Sequence, residues 1–155
     1  MPERMHITVC FLGATTDENV LPVIAALGHV VPPLPQADLT LGSVGGFPTL
    51  AHPHTVWVGV AGDIAILNWL QRAIATAMEP LGYPRDPRPF HAHVTVGRVR
   101  RSAQRSDRRE IGRAVATLPP LPDLSWRAER VVLFESLHAS GTARYVELAA
   151  VKLHR

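Results

Sequence analysis

A chain of 155 residues that is 46% hydrophobic and 19% charged has enough apolar content for one folded domain of 1–155, or a bilobal one. Its apolar runs are short and interrupted, and Arg4 and His6 break the N-terminus, so neither a membrane span nor a signal peptide is expected and the location is read as cytoplasmic. A single cysteine, Cys10, excludes an internal disulfide and a cysteine-built zinc site; the net charge is only +3, carried almost wholly by arginine.

In chain order, residues 5–12 read as a strand, with Ile7, Val9 and Phe11 on one face and His6, Thr8 and Cys10 on the other. Cys10 is read as a small packing residue. Gly13 ends this strand. Thr15 or Thr16 then caps a helix running to about Leu27, with Asp17 and Glu18 in its first turn and Pro22 inside it as a kink or a delayed start. His29 follows, where a cation suits the helix dipole. A Pro-rich loop at 31–36 leads to a strand over 37–44 and a Gly-Gly-Phe-Pro turn at 45–48. Residues 55–60 alternate as a strand. Asp63 caps a second helix to about Met78, with Ile66, Leu67, Leu70 and Ile74 at helical spacing.

Four prolines make 80–89 a loop. Residues 91–99 form the next strand, and a third helix spans roughly 105–117 until Pro119–Pro122 break it. Strands over 124–136 and 143–152 close the chain, joined by a turn at Ser140-Gly141. The order β-α-β-β-α-β-α-β-β, with several hairpin neighbours, predicts an α+β fold of antiparallel sheets carrying outer helices.

One tetrapeptide pattern occurs twice: His6-Ile7-Thr8-Val9 and His93-Val94-Thr95-Val96. His-x-Thr-aliphatic is expected roughly 0.1 times by chance in such a chain. In a strand, residues i and i+2 share a face, so each copy offers one imidazole and one hydroxyl together. The repeat suggests two similar lobes about a pseudo-twofold, with the motif strands lining the cleft between them.

Imidazole as a group has both its neutral and its charged form accessible near neutrality, since its unperturbed pKa is about 6.5. Of two imidazoles, one can take a proton from water and the other give one to a leaving alkoxide, as in-line cleavage of a phosphate ester requires. The threonine hydroxyls suit non-bridging phosphate oxygens, and a nearby arginine suits the developing charge. Arg98 is the nearest candidate. Strict alternation puts it on the face away from His93 and Thr95, unless Gly97 hosts a bulge that re-aims it. Arg98, Arg100, Arg101, Arg105, Arg108, Arg109 and Arg113 together crowd one segment, as an RNA or nucleotide partner would favour.

The segments 6–13 (HITVCFLG), 88–98 (RPFHAHVTVGR) and 132–136 (VLFES) resemble the 2H phosphoesterase superfamily, in its LigT-like or 2′-5′ RNA ligase branch. The resemblance covers nearly the whole chain. It implies a bilobal α+β fold and metal-independent hydrolysis of RNA 2′,3′-cyclic phosphate ends to 2′-phosphates, without a cofactor. A weak ATP-independent 2′-5′ RNA ligation in reverse is also implied. Carried onto this chain, it makes His6 and His93 the catalytic pair, with His93 as base and His6 as acid. Thr8, Thr95 and Arg98 become the phosphate contacts, and Phe90 and Phe47 stand where a base would be contacted. The implied partner is RNA with a cyclic phosphate end, with no membrane.

Two departures stand out. Cys10 occupies a position that is often polar in relatives. The resemblance also implies a strand and helix before the first motif; a chain lacking them is expected to expose a sheet edge and to form a dimer as the alternative to the family's monomer. Two other readings remain open. One is a cupin-like or zinc enzyme using His91-x-His93 or His52 and His54. The other is an RNA-binding module without catalysis. His138 and His154 read as surface residues.

Overall fold

The computed structural model describes residues 5–139 and 142–155, with side chains described over 5–137 and 144–155. The predicted turn at Ser140-Gly141 and the side chain of His138 lie outside the described residues. The elements are α1 (Asp17–Val30), β1 (Ala37–Phe47), β2 (Thr55–Gly62), α2 (Ile64–Met78), β3 (His93–Arg98), α3 (Arg105–Ala116), β4 (Ser125–Ala128), β5 (Arg130–Ala139) and β6 (Thr142–Lys152), with a 3-10 turn at Glu79–Leu81. The fold is α+β, as the alternation of patterns predicts.

Four strands form one sheet in the order β3-β2-β1-β4, and β5 and β6 form a separate antiparallel hairpin. The chain divides into two compact units. The first comprises 1–8, 39–62 and 91–126; the second comprises 9–38, 63–90 and 127–155.

The second unit holds most of the apolar core. Val23 and Leu27 of α1, Leu67, Leu70, Ile74, Ala75 and Met78 of α2, and Val131 and Leu153 are all buried. The 3.6-residue spacing of the α2 residues puts them on one stripe, which packs against α1. Tyr83, buried after the 3-10 turn, donates its hydroxyl to Thr15 Oγ1 at 3.2 Å.

Helix α1 runs through Pro22 and past Gly28 to Val30, three residues beyond expectation. Pro22 withholds one hydrogen bond, the one to Glu18 in the first turn, and its ring lies exposed there. Thr16 is the N-cap by backbone position, but its hydroxyl makes no capping bond. Asp63 similarly precedes α2 without capping it. Its carboxylate accepts from the Asp38 backbone N–H at 2.9 Å, and its own N–H donates to the Asp38 carbonyl at 2.9 Å. Burial pushes the Cys10 thiol up, in keeping with a half-buried packing residue.

Three expected elements are corrected. Residues 5–12 do not form a strand: Ile7 alone makes an antiparallel bridge, to Val94, and the chain bends at Val9. A ladder needs a partner along its length, and a β-branched pattern does not supply one. The predicted strand at 124–136 is two strands, β4 and β5, which belong to different sheets. Gly45-Gly46-Phe47 continues β1 and is not a turn; the turn begins at the cis Phe47–Pro48 bond.

In the first unit the register explains that glycine pair. Gly45 faces Trp57 and Gly46 faces Val56 across β1–β2. A Cβ at Gly45 would overlap the Trp57 indole, and one at Gly46 would come within 2.9 Å of Pro53. Glycine in a strand here marks close approach by a neighbour. Helix α3 is fastened to the same unit by Arg108, which donates to the Pro53 carbonyl at 3.2 Å and to the Arg100 carbonyl at 3.3 Å. The capping box at Gln104 and Asp107 starts this helix.

Candidate active site

Directly opposed residues in neighbouring strands point to the same side of a sheet. In β2–β3, Gly59 faces His93, Val58 faces Val94 and Trp57 faces Thr95. The register then slips: Val56 faces Gly97 and Thr55 faces Arg98, leaving Val96 as the extra residue of a bulge. Thr55, Trp57 and Gly59 alternate along one side of β2, so their partners Arg98, Thr95 and His93 share that side. The bulge removes the parity problem of Arg98. It lies at Val96, one residue before the expected Gly97, because the ladder pairs Gly97 normally with Val56.

The same reasoning places the first motif. Ile7 opposite Val94 is the second residue of one tetrapeptide opposite the second residue of the other. An antiparallel pair so registered has a local twofold that exchanges His6 with His93 and Thr8 with Thr95. Ile7 shares the side of Val94. Continued one residue each way, that pairing would set His6 against Thr95 and Thr8 against His93, on the side opposite Ile7 and Val94. Residues 6–8 and 93–98 all fall in the first unit. His6, His93 and Thr95 are half-buried; Thr8 and Arg98 are exposed.

His93 is oriented by its own strand. Its Nδ1 lies 2.6 Å from the His91 carbonyl oxygen. A carbonyl only accepts, so this contact requires the Nδ1–H form and leaves Nε2 as the free nitrogen. An aromatic group surrounds the ring. Phe47 meets it edge-on at 5.1 Å between centroids, and Trp57 lies at 6.0 Å. Phe47 and Trp57 are 5.3 Å apart, and Trp57 sits 4.5 Å from the His91 ring.

Phe47 thus belongs to this side of the sheet, as the expected base contact would, and touches His93 directly. Phe90, the other expected base contact, is half-buried and falls in the second unit. Trp57 is the residue that sequence reading missed. The signal was Gly45: two glycines at the end of an apolar run can mean a large ring lying across a strand, and not only a turn.

Two buried side-chain atoms lack a hydrogen-bond partner among the described residues, Trp57 Nε1 and His52 Nδ1. Both lie in the first unit. The His91–His93 and His52–His54 spacings do not gather further ligands: among the described residues no three His, Cys, Asp or Glu side chains come together as a metal-binding group. No helix of the described residues is long and apolar enough to cross a membrane.

Residues 3–139 match the model of the 2′-5′ RNA ligase superfamily. The chain belongs to that superfamily. An RNA 2′,3′-cyclic phosphodiesterase of Archaeoglobus fulgidus is 35% identical over 100 residues, 64% of this chain and 54% of that protein. One from Escherichia coli is 27% identical over 150 residues, 94% of this chain and 74% of its own length. The chain spans about half the length of the A. fulgidus relative, and the match to a Geobacillus stearothermophilus RNA 2′,3′-cyclic phosphodiesterase takes in 30% of that protein. Among solved structures, a Thermus thermophilus protein aligns with a TM-score of 0.75 at 22% identity, over 99% of this chain and 80% of its own. E. coli LigT complexed with 3′-AMP aligns with a TM-score of 0.75 at 23% identity, over 99% of this chain and 79% of its own. The shared fold is that of the LigT-like 2H phosphoesterases.

Proposed function

We propose that this chain hydrolyses RNA 2′,3′-cyclic phosphate ends to 2′-phosphates by two-histidine acid–base catalysis that needs no metal. One observation supports the reading: the bulge at Val96 puts His93, Thr95 and Arg98 on one side of β3, and Ile7 at the middle of the other motif pairs with Val94 at the middle of this one. The relatives named RNA 2′,3′-cyclic phosphodiesterase support the substrate class.

In this reading His93 Nε2 takes a proton from water as the water oxygen attacks phosphorus. The Nδ1–H bond to the His91 carbonyl fixes the tautomer and steadies the imidazolium that forms. The P–O3′ bond breaks opposite the attack, and His6, as imidazolium, protonates the departing ribose oxygen. The phosphate remains on O2′. The two histidines exchange protonation state in the turnover, and solvent resets them. Thr8 and Thr95 donate to non-bridging oxygens, and Arg98 offsets the charge that builds there. With a 5′-hydroxyl in place of water, the same step joins that end to the cyclic phosphate as a 2′-5′ linkage: the O5′–P bond forms, the P–O3′ bond breaks, and His6 protonates O3′.

The test is turnover of a short RNA with a 2′,3′-cyclic phosphate end in excess EDTA. Wild type is expected to open the ring. His6→Ala and His93→Ala should each lose about 10²–10⁴-fold in kcat. Wild-type turnover by both variants would overturn the mechanism, and activity that disappears with EDTA and returns with added metal would overturn the metal-free assignment.

A further inference from the structure

The arginine-rich segment after β3 is only partly used by this chemistry, and the structure sorts its members. Arg108 is structural, since its guanidinium holds the Pro53 and Arg100 carbonyls. Arg98, Arg100, Arg101, Arg105, Arg109 and Arg113 are exposed. Among the described residues none of these six makes a side-chain hydrogen bond or ion pair. Four arginines of the second unit behave differently. Arg85, Arg88, Arg127 and Arg130 each pair with a carboxylate.

Arg105, Arg109 and Arg113 stand four residues apart on α3, so they form one row with steps of about 6 Å along the axis. The row flanks the side that α3 buries at Gly112. Asp107 is committed to the helix start, where its carboxylate accepts from the Gln104 N–H at 2.8 Å, and Glu110 falls off the row. An open groove lined by Arg98, Arg100, Ser102, Asp107 and Ile111 runs between the end of β3 and the first turns of α3. Arg98 therefore belongs both to the side of the sheet that carries His93 and to this groove.

We propose that the Arg105–Arg109–Arg113 row, continued through Arg100 to Arg98, is a sequence-independent track for the phosphodiester backbone of a single-stranded RNA. The inference rests on the proposed function: the strand whose cyclic end is at Arg98 lays its upstream nucleotides along the track. Charge complementarity selects the occupant. Guanidinium forks without internal partners match phosphate oxygens bidentately, and a row of single charges at regular steps suits a polymer with one charge per nucleotide. The groove brings Arg98 and Arg100 beside the first turns of α3, where the row begins at Arg105, so one strand passing from the groove onto the row would present phosphate at both places.

The test compares wild type with R105Q/R109Q/R113Q on 2′,3′-cyclic AMP and on an RNA of about ten nucleotides ending in a 2′,3′-cyclic phosphate. The variant should raise KM for the long substrate about tenfold or more, with kcat unchanged and cyclic AMP turnover unchanged. Its log–log salt dependence on the long substrate should be shallower by about 2, from three lost single-strand phosphate contacts. R105K/R109K/R113K, which keeps the charge, should restore most of the affinity. An unchanged KM on the long RNA, or equal changes on both substrates, would overturn the track. Binding of a 3′-hydroxyl RNA of the same length, read by fluorescence anisotropy, separates this proposal from the catalytic one. Loss of binding in the glutamine variant upholds the track even if no cyclic phosphate is turned over. Equal binding by wild type and variant, or equal competition by a polyglutamate peptide of matched charge, sinks it.

Discussion

The two units divide the work of the sequence differently. The second concentrates the large buried aliphatics and pairs four of its arginines with carboxylates; among the described residues the buried apolar side chains of the first are Leu39, Pro53 and Ala92. Among the described residues the first unit instead holds strand glycines, a cluster of tilted and edge-on rings, two orphaned buried nitrogens and arginines without partners. Apolar burial is the main stabilising term in folding, whereas unpaired polar groups cost free energy. The unit that carries the candidate chemistry is therefore the one whose local choices stabilise least. Departures from good packing tend to collect where a protein does something besides fold.

Substitutions in the two units should separate activity from stability. The largest effect belongs to His93→Ala, which should lower turnover of a cyclic phosphate end about 10²–10⁴-fold while the thermal midpoint stays near that of wild type. A large drop in midpoint would show that His93 is a packing residue. Leu70→Ala in α2 should do the opposite. It removes a side chain that is 3% exposed and should cost about 2–5 kcal/mol in urea unfolding, with turnover per folded molecule retained.

Gly45→Ala tests whether the first unit tolerates a change at the ring group. The added methyl overlaps the Trp57 indole, so the indole must shift, at about 1–3 kcal/mol. Because Trp57 touches Phe47, and Phe47 touches His93, turnover should fall as well. Retained activity would mean that the rings do not hold His93.

The smallest effect is expected at Asp86, whose carboxyl is held at about 2 chiefly by hydrogen bonds from the Arg88 side chain and backbone. A carboxyl lowered in the folded state stabilises above its unfolded pKa, and that contribution disappears as pH falls from about 4 through about 2. The pair is exposed and solvent-screened, so Asp86→Asn should leave the midpoint at pH 7 unchanged and flatten its acid side only slightly. A clear loss at neutral pH would show the surface pair to be structural.

Much of the chemistry was legible because period-2 alternation is a property of the local chain. His6 with Thr8, and His93 with Thr95, share a face in any extended segment, and the helical stripe of Leu67, Leu70 and Ile74 is equally local. Arg98 was not legible. Its side of the sheet depends on Val96 being skipped, and a bulge is decided by which residues the neighbouring strand pairs with. Trp57 was hidden for the same reason: its importance lies in Gly45, twelve residues away in the chain and opposite it only through strand pairing.

The sequence by itself determined the α+β class, the helices, the two His-x-Thr pairs and the family, since these rest on periodicity and on residue identity. Tertiary structure alone decided that Ile7 faces Val94, so that one local twofold relates the two pairs. It also decided which arginines are spent on carbonyls and which stay open. Both are matters of long-range register and packing, whose energies come from partners far off in the chain.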